Sequence, residues 1–311
     1  MQGMTRTTMS ETATDQEIPA HLTAEPSDYA ALLKPRVMSL SIFTALVGMV
    51  VAPGPVPSWG LAILSTIAIA LGAGASAALN MWWDSDIDGL MARTAKRPIP
   101  QGKVPAAEAF GLGIVLSALS VWLLALSGGY LAAGLLAITI GFYVVVYSMF
   151  LKRRTPQNIV IGGAAGALPP VVGYAAVTGT VPLEAWALFA LIFIWTPPHF
   201  WALSLLKKGD YEAAGVPMLP NVKGDAVTRR EIWRYSILLV LTAPLIAFFP
   251  LAGWLYAASS IVLGAEFLRR AWMLRGSEDN KGAAGLFGFS ILYLFALFLV
   301  LLVEHWAGFH G

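Results

Sequence analysis

SWGLAILSTIAIALGAGASAALNMWW, residues 58–83, carries no ionisable side chain, and DSDID, residues 84–88, follows it directly. Roughly 20 apolar residues at 1.5 Å each cross ~30 Å of hydrocarbon, so the first stretch has the length and composition of a bilayer-spanning helix. The second sets Asp84, Asp86 and Asp88 where that helix would leave the membrane. The rest of the 311-residue chain repeats the pattern, with 57% hydrophobic and 12% charged residues, where an average soluble domain has about 25% charged. An ordinary soluble enzyme is excluded; the fold class is an all-α polytopic membrane protein.

Nine transmembrane helices in a single bundle are predicted, at about 37–53, 58–83, 107–126, 129–151, 157–177, 183–206, 233–252, 253–275 and 283–306. Four linkers are short and uncharged, at 53–57, 127–129, 178–182 and 250–253, which is turn chemistry between antiparallel neighbours. Residues 29–311 form the membrane domain, and 1–28 read as a disordered polar tail that cannot bury enough surface to fold alone. The tail has no apolar h-region, and its acids Glu11, Asp15, Glu17, Glu25 and Asp28 argue against an organelle transit peptide. A bacterial inner membrane is the expected location.

Lys and Arg accumulate on the cytoplasmic side of a membrane protein, which tests the span count independently. With the N-terminus in the cytoplasm, Arg6, Lys34 and Arg36 precede the first span, and Arg93, Lys96, Arg97 and Lys103 follow the second. Lys152, Arg153 and Arg154 follow the fourth; Lys207, Lys208, Lys223, Arg229, Arg230 and Arg234 the sixth; Arg269, Arg270, Arg275 and Lys281 the eighth. All 20 basic residues then share one face, and the C-terminus lies outside. Only Glu184 and Glu304 among the carboxylates lie on the outer side, so chemistry on polar substrates is expected at the cytoplasmic face. The net charge of +2 makes no case for nucleic acid, and the absence of cysteine excludes thiolate metal sites and cysteine nucleophiles.

Asn80, Asp84 and Asp88 recur every four residues, so on a continuing helix their oxygens share a face, with Asp86 opposite. Oxygen ligands in that pattern suit Mg²⁺, which usually takes one or two carboxylates and keeps its other positions for water and phosphate. The plainer alternative is a solvated helix end. Asp210 lies in a second acidic loop after the sixth span, four spans on and at the same face. Lys34, Arg36, Arg93, Lys96, Arg97, Lys152 and Arg153 surround both arms and are candidates to stabilise a departing diphosphate; topology alone would also put cations there. Gly162-Gly163-Ala164-Ala165-Gly166 is not followed by Lys-Ser/Thr, so it is no phosphate-binding loop and suits close helix packing. His199, in Trp195-Thr196-Pro197-Pro198-His199-Phe200-Trp201, sits roughly 10 Å below the end of its span. Three roles stay open for it: iron ligand, proton acceptor, or a hydrogen-bonded packing residue.

Over nearly all of residues 29–306 the chain resembles the UbiA superfamily of intramembrane prenyltransferases, and within it the branch that farnesylates heme. Asn80, Asp84 and Asp88 match the superfamily's Asn-x-x-x-Asp-x-x-x-Asp motif. The segments Arg93-Thr94 to Arg97-Pro98, Arg154 to Asn158, Trp195 to Trp201 and Asp210 to Pro220 match the narrower branch. The resemblance implies Mg²⁺ held by Asn80, Asp84, Asp88 and Asp210 as the catalytic set, with the basic residues named above on the diphosphate. It implies farnesyl diphosphate and protoheme as substrates, the product carrying a hydroxyethylfarnesyl group, and His199 as a heme-binding candidate. It also implies downstream partners such as heme A synthase or terminal-oxidase assembly factors. One departure stands out: quinone-type relatives carry a second aspartate four residues after the first in the later loop, and here that position is Ala214. Glu212 or Asp225 could substitute, or Asp210 could suffice beside the lysines. Two rivals remain: a prenyltransferase acting on a quinone or other aromatic precursor, and a transporter, which would place polar groups near the midplane to serve both faces.

Overall fold

The computed structural model describes residues 24–54 and 58–308, and in these the chain is helical throughout with no strand. Most of the expected tail, 1–23, the end of the 53–57 linker, 55–57, and residues 309–311 lie outside the described residues.

Helix α1 (Pro26–Leu32) begins within the stretch assigned to the tail. Its local signals are polar, which is why composition reads them as tail. Pro26 opens the first turn, and the Glu25 amide donates to Asp28 Oδ2 at 3.1 Å, as a capping box requires. Tertiary contacts hold it: Lys103 Nζ reaches Asp28 at 3.2 Å, the Tyr29 hydroxyl donates to Glu108, and Leu32 packs with Ala78 and Met81. The chain then bends by 52° into α2 (Pro35–Val50). Lys34 forms the corner with φ 50, left-handed backbone that a non-glycine residue seldom adopts.

Helix α3 (Trp59–Trp83) is the central span, followed by the single turn α4 (Ser85–Asp88). Helix α5 (Ala106–Gly141) runs on through a π-helical stretch, Phe142–Leu151. Those 46 residues would extend more than twice the ~30 Å of hydrocarbon if straight. Gly129, with φ 83 and ψ 169, divides them into two limbs. Ser65 Oγ donates to Ser127 Oγ at 2.9 Å beside this break, while Gly113 on the first limb packs on Leu79 and Leu136 on the second packs on Gly72. Both limbs therefore run back along α3.

Helices α6 (Asn158–Ala167) and α7 (Pro169–Thr178) are two halves of one rod interrupted before Pro169-Pro170. Helix α8 (Leu183–Leu206) contains Pro197 and Pro198. Short α9 (Lys208–Ala213) and α10 (Leu219–Lys223) lead to α11 (Asp225–Thr242), which ends in a 3₁₀ segment, Ala243–Phe248. Helices α12 (Trp254–Gly276) and α13 (Lys281–Ala307) complete the described residues. Glu304, wholly buried, accepts from the amides of Gly253 and Tyr256 at 2.8 and 2.9 Å and so caps the start of α12.

By length and apolarity six helical runs among the described residues qualify as membrane spans, or seven if α1 and α2 count as one bent span. That is fewer than the nine expected, for physical reasons. The two limbs of 106–151, divided at Gly129, make up a single one of those runs, α2 has only 16 residues, and α12 carries Glu266, Arg269, Arg270 and Arg275.

Candidate active site

The acidic motif keeps its spacing although its helix does not continue. Backbone geometry departs from helical at Asp84 (φ −88, ψ 6), where α3 ends. The amides of Asp84 and Asp88 nevertheless donate to the carbonyls of Asn80 and Asp84, each at 2.9 Å. Asn80, Asp84 and Asp88 thus stay stacked, and all three are buried.

Each acid meets a cation from another element. Asn80 bridges: its Oδ1 accepts from Lys34 Nζ at 3.0 Å, and its Nδ2 donates to Asp84 Oδ2 at 2.7 Å and to Ser148 Oγ at 3.1 Å. Asp84 is paired with Lys152 and, at 3.4 Å, with Arg153. Asp88 accepts from Arg97 Nη1 at 2.6 Å. Charges this deeply placed persist only in such pairs. Asp86 behaves otherwise: its side chain is 61% exposed and takes both Arg153 nitrogens at 2.7 Å. Arg153 holds the Asp86 carboxyl below the usual carboxylate range. A lowered folded-state value means that this pair is intact above the ordinary carboxylate range and is lost as pH falls through it.

A cavity of about 570 Å³ opens beside this cluster, within the ~300–1,000 Å³ usual for small-molecule sites. Lys34, Arg36, Arg93, Arg97 and Lys152 line its polar end together with Asn80. Asp84 and Asp88 lie just behind that wall, each covered by the cation it pairs with. Lys96 and Arg153 are not on the wall; Arg153 is turned to Asp86 and the Trp83 carbonyl at 3.0 Å. Arg153→Gln should therefore raise the KM for a diphosphate substrate far less than Lys152→Gln, as steady-state kinetics in membranes will show.

The cavity wall also carries aromatic side chains: Trp195, His199 and Phe200 from α8 and Phe287 from α13. His199 stacks on Trp195 at 4.2 Å and on Phe287 at 4.7 Å. Tyr143 and Tyr147 of the π-helical stretch line it too, with ring centres 5.4 Å apart. Tyr147 fits because Gly162 is opposite: a Cβ there would lie 2.3 Å from the ring.

Asp210 is outside the cavity wall, but its neighbour Tyr211 is on it. Burial pushes the Tyr211 phenol up, against the pull of Arg93, which hydrogen-bonds it. Of the two stand-ins for the missing second aspartate, Glu212 is exposed, and Asp225 is engaged by Lys208 and Asn280, each at 2.8 Å. Neither is on the cavity wall. Sequence reasoning did not find Ser148, Tyr143, Tyr147, Phe287 or Ser290. For Tyr143, Tyr147 and Ser148 the signal would have been two tyrosines and a serine just ahead of Lys152, in a run that reads as plain apolar span; Phe287 and Ser290 carry none.

Asp88 Oδ1 and Asp210 Oδ2 are buried oxygens with no hydrogen-bond partner, a costly state that a cation relieves. Among the described residues no three acidic or histidine side chains converge, so the protein alone builds no complete cage. That donor set fits Mg²⁺, which leaves most positions to water and substrate phosphate, and would not fit a cation demanding six or more protein oxygens.

Residues 41–302 match the model of the UbiA prenyltransferase family. The chain is 56% identical over 312 residues to protoheme IX farnesyltransferase of Methylorubrum extorquens, covering 99% of this chain and 98% of that one. It is 59% identical over 288 residues to the protein of the same name from Methylorubrum populi, covering 91% and 90%. Among solved structures, digeranylgeranylglyceryl phosphate synthase superposes with a TM-score of 0.74 at 18% identity, over 90% of this chain and 98% of that one. A UbiA homologue from Archaeoglobus fulgidus bound to DMAPP and Mg²⁺ superposes with a TM-score of 0.66 at 20% identity, over 88% and 99%. These two likenesses concern the fold.

Proposed function

This chain belongs to the UbiA prenyltransferase family, and from that premise we propose that it transfers farnesyl from farnesyl diphosphate to a vinyl group of protoheme, with addition of water, to give heme O. The name borne by its relatives points to this pair of substrates. The observation that carries it in this chain is one cavity whose wall holds five cations beside the buried acid motif and also Trp195, His199 and Phe287.

Asn80, Asp84, Asp88 and Asp210 are the residues that would hold Mg²⁺, which when bound supplies Lewis-acid neutralisation of the diphosphate. Lys34, Arg36, Arg93, Arg97 and Lys152 stabilise the charge that develops on the leaving diphosphate as the allylic C–O bond breaks. Tyr143 and Tyr147 present ring faces where the allylic cation forms, an attraction worth about 0.5–2 kcal/mol. The apolar walls contributed by α2, α6 and α13 hold the prenyl tail and keep bulk water from quenching the cation early. The porphyrin is placed against Trp195, His199 and Phe287. The same reading takes nine crossings with a cytoplasmic N-terminus in a bacterial inner membrane, which puts this cavity at the cytoplasmic face. The enzyme would hand its product to a heme A synthase or an oxidase-assembly factor.

Membranes containing the protein, given protoheme, farnesyl diphosphate and Mg²⁺, should yield a heavier and more hydrophobic heme by mass spectrometry. Chelating the divalent cation should abolish the product, and its return should restore it. A farnesylated quinone precursor in place of heme, or product formation indifferent to chelation, would overturn the assignment.

A further inference from the structure

His199 and Ser290 meet across 91 residues of sequence, His199 Nδ1 lying 2.6 Å from Ser290 Oγ. The direction of this bond follows from its neighbours. Ser290 Oγ is also 2.6 Å from the Phe287 carbonyl, which has no proton to give, so the one serine proton is spent there. Ser290 Oγ must then accept from His199, and Nδ1 carries the ring proton. In a neutral imidazole this leaves Nε2 as the lone-pair atom. Ser290 is itself fixed, because Trp195 Nε1 donates to its carbonyl at 2.8 Å. Both faces of the His199 ring are covered by Trp195 and Phe287 and its Nδ1 by Ser290. Phe200 meets the ring edge-on at 5.1 Å, and Nε2 is the ring nitrogen with no hydrogen-bond partner among the described residues, on a side chain that lines the cavity.

We propose that Ser290 is a positioning residue that locks His199 in the Nδ1–H form, so that Nε2 accepts the proton of the water that completes the transfer. This rests on the heme-farnesylating reading above. In the step, the allylic C–O bond breaks and diphosphate leaves with its electron pair. The vinyl π electrons form the new C–C bond and leave a cation on the carbon next to the pyrrole. Water oxygen bonds to that carbon, and its surplus proton passes to Nε2. A protonated water adduct is strongly acidic, so the place of the acceptor matters more than its basicity. The resulting imidazolium keeps its bond to Ser290 and is flanked by two aromatic faces that favour a cation. Iron ligation would make no use of that flanking.

Without the acceptor, the cation sheds a proton from the adjacent carbon and yields an alkene lighter by one water. The ratio of hydrated to dehydrated farnesyl heme is therefore the readout, and it does not depend on how much protein folds. Ser290→Ala should lower that ratio at least about tenfold, a conservative share of general-base catalysis, with KM for both substrates unchanged. Ser290→Thr should restore it, and His199→Gln should repeat the Ser290→Ala product pattern. An unchanged ratio in Ser290→Ala overturns the proposal, as does a shifted visible spectrum of bound ferric protoheme in His199→Gln, which would make the ring an iron ligand. Failure of the unsubstituted protein to farnesylate heme would instead sink the parent reading.

Discussion

Asp84→Asn lowers kcat by about 10²–10³-fold, the loss typical when one preorganised charge-stabilising group is removed from a site, while Asp86→Asn changes it less than about twofold. The two carboxylates are separated by a single residue, and their surroundings differ in every respect that matters. Asp84 is wholly buried, and Asn80, Lys152 and Arg153 all bond to it. Its removal leaves Lys152 without a counter-charge at the cavity wall and takes away an oxygen ligand. Asp86 is 61% exposed and touches only Arg153, on the side away from the cavity. Exposed pairs of this kind contribute about 0–1 kcal/mol. Single-turnover assays with saturating farnesyl diphosphate and protoheme separate the cases, and equal losses in the two variants would remove Asp84 from the site. Lys152→Met is the complementary change, since it leaves the buried Asp84 with only the longer 3.4 Å contact of Arg153 as counter-charge. Breaking a buried pair from one side costs about 3–5 kcal/mol, so this variant should lose thermal stability in detergent as well as activity.

The contrast between Asp84 and Asp86 was legible in the sequence because period-four spacing survives a helix end. The Asn80–Asp84–Asp88 ladder needs only two backbone hydrogen bonds to persist, and both do. The basic residues were legible as a group but not one by one. Topology brings every cation to one face, and only tertiary structure decides that Arg97 turns to Asp88 while Arg153 turns outward to Asp86. Tyr143, Tyr147 and Ser148 stayed hidden for a different reason. The π-helical stretch Phe142–Leu151 shifts the register of its side chains relative to an α-helix, so ordinary periodicity assigns their faces wrongly. Helix α1 was missed because its stabilising partners, Lys103 and Glu108, lie some 75 or more residues away. Most apolar spans lie within a few residues of the observed helices, α11 excepted, which starts at Asp225 and not near 233 because its first turns are charged, and the turn read at 127–129 falls where Gly129 breaks the 106–151 run.

Gly173→Ala should destabilise the protein by about 3 kcal/mol or more, at the upper end of overpacking costs, and should take activity with it. An added Cβ at Gly173 would sit 2.0 Å from the Ala45 carbonyl oxygen and 2.9 Å from its carbon. At Gly48, on the partner helix, it would sit 2.2 Å from the Pro170 carbonyl oxygen. In both cases the obstacle is backbone, which cannot rotate aside as a side chain can. Helices α2 and α7 would have to separate by about 1 Å merely to reach 3.0 Å, the shortest approach that real Cβ atoms show. Close-packed interiors do not absorb such a shift locally. Helix α2 also carries Arg36 and the cavity-lining Ser41 and Thr44, and it begins at Lys34, which bonds Asn80. Displacing it moves cations away from the acid ladder, so the KM for farnesyl diphosphate should rise even in the fraction that stays folded. Gly134→Ala is the control: it lies in a helix with nothing within 4 Å of the new Cβ. There alanine's lower backbone entropy should stabilise the helix by about 0.5–1 kcal/mol. Thermal unfolding of the purified variants in detergent measures both, and a Gly173→Ala protein as stable as Gly134→Ala would mean that α2 and α7 do not cross at backbone contact.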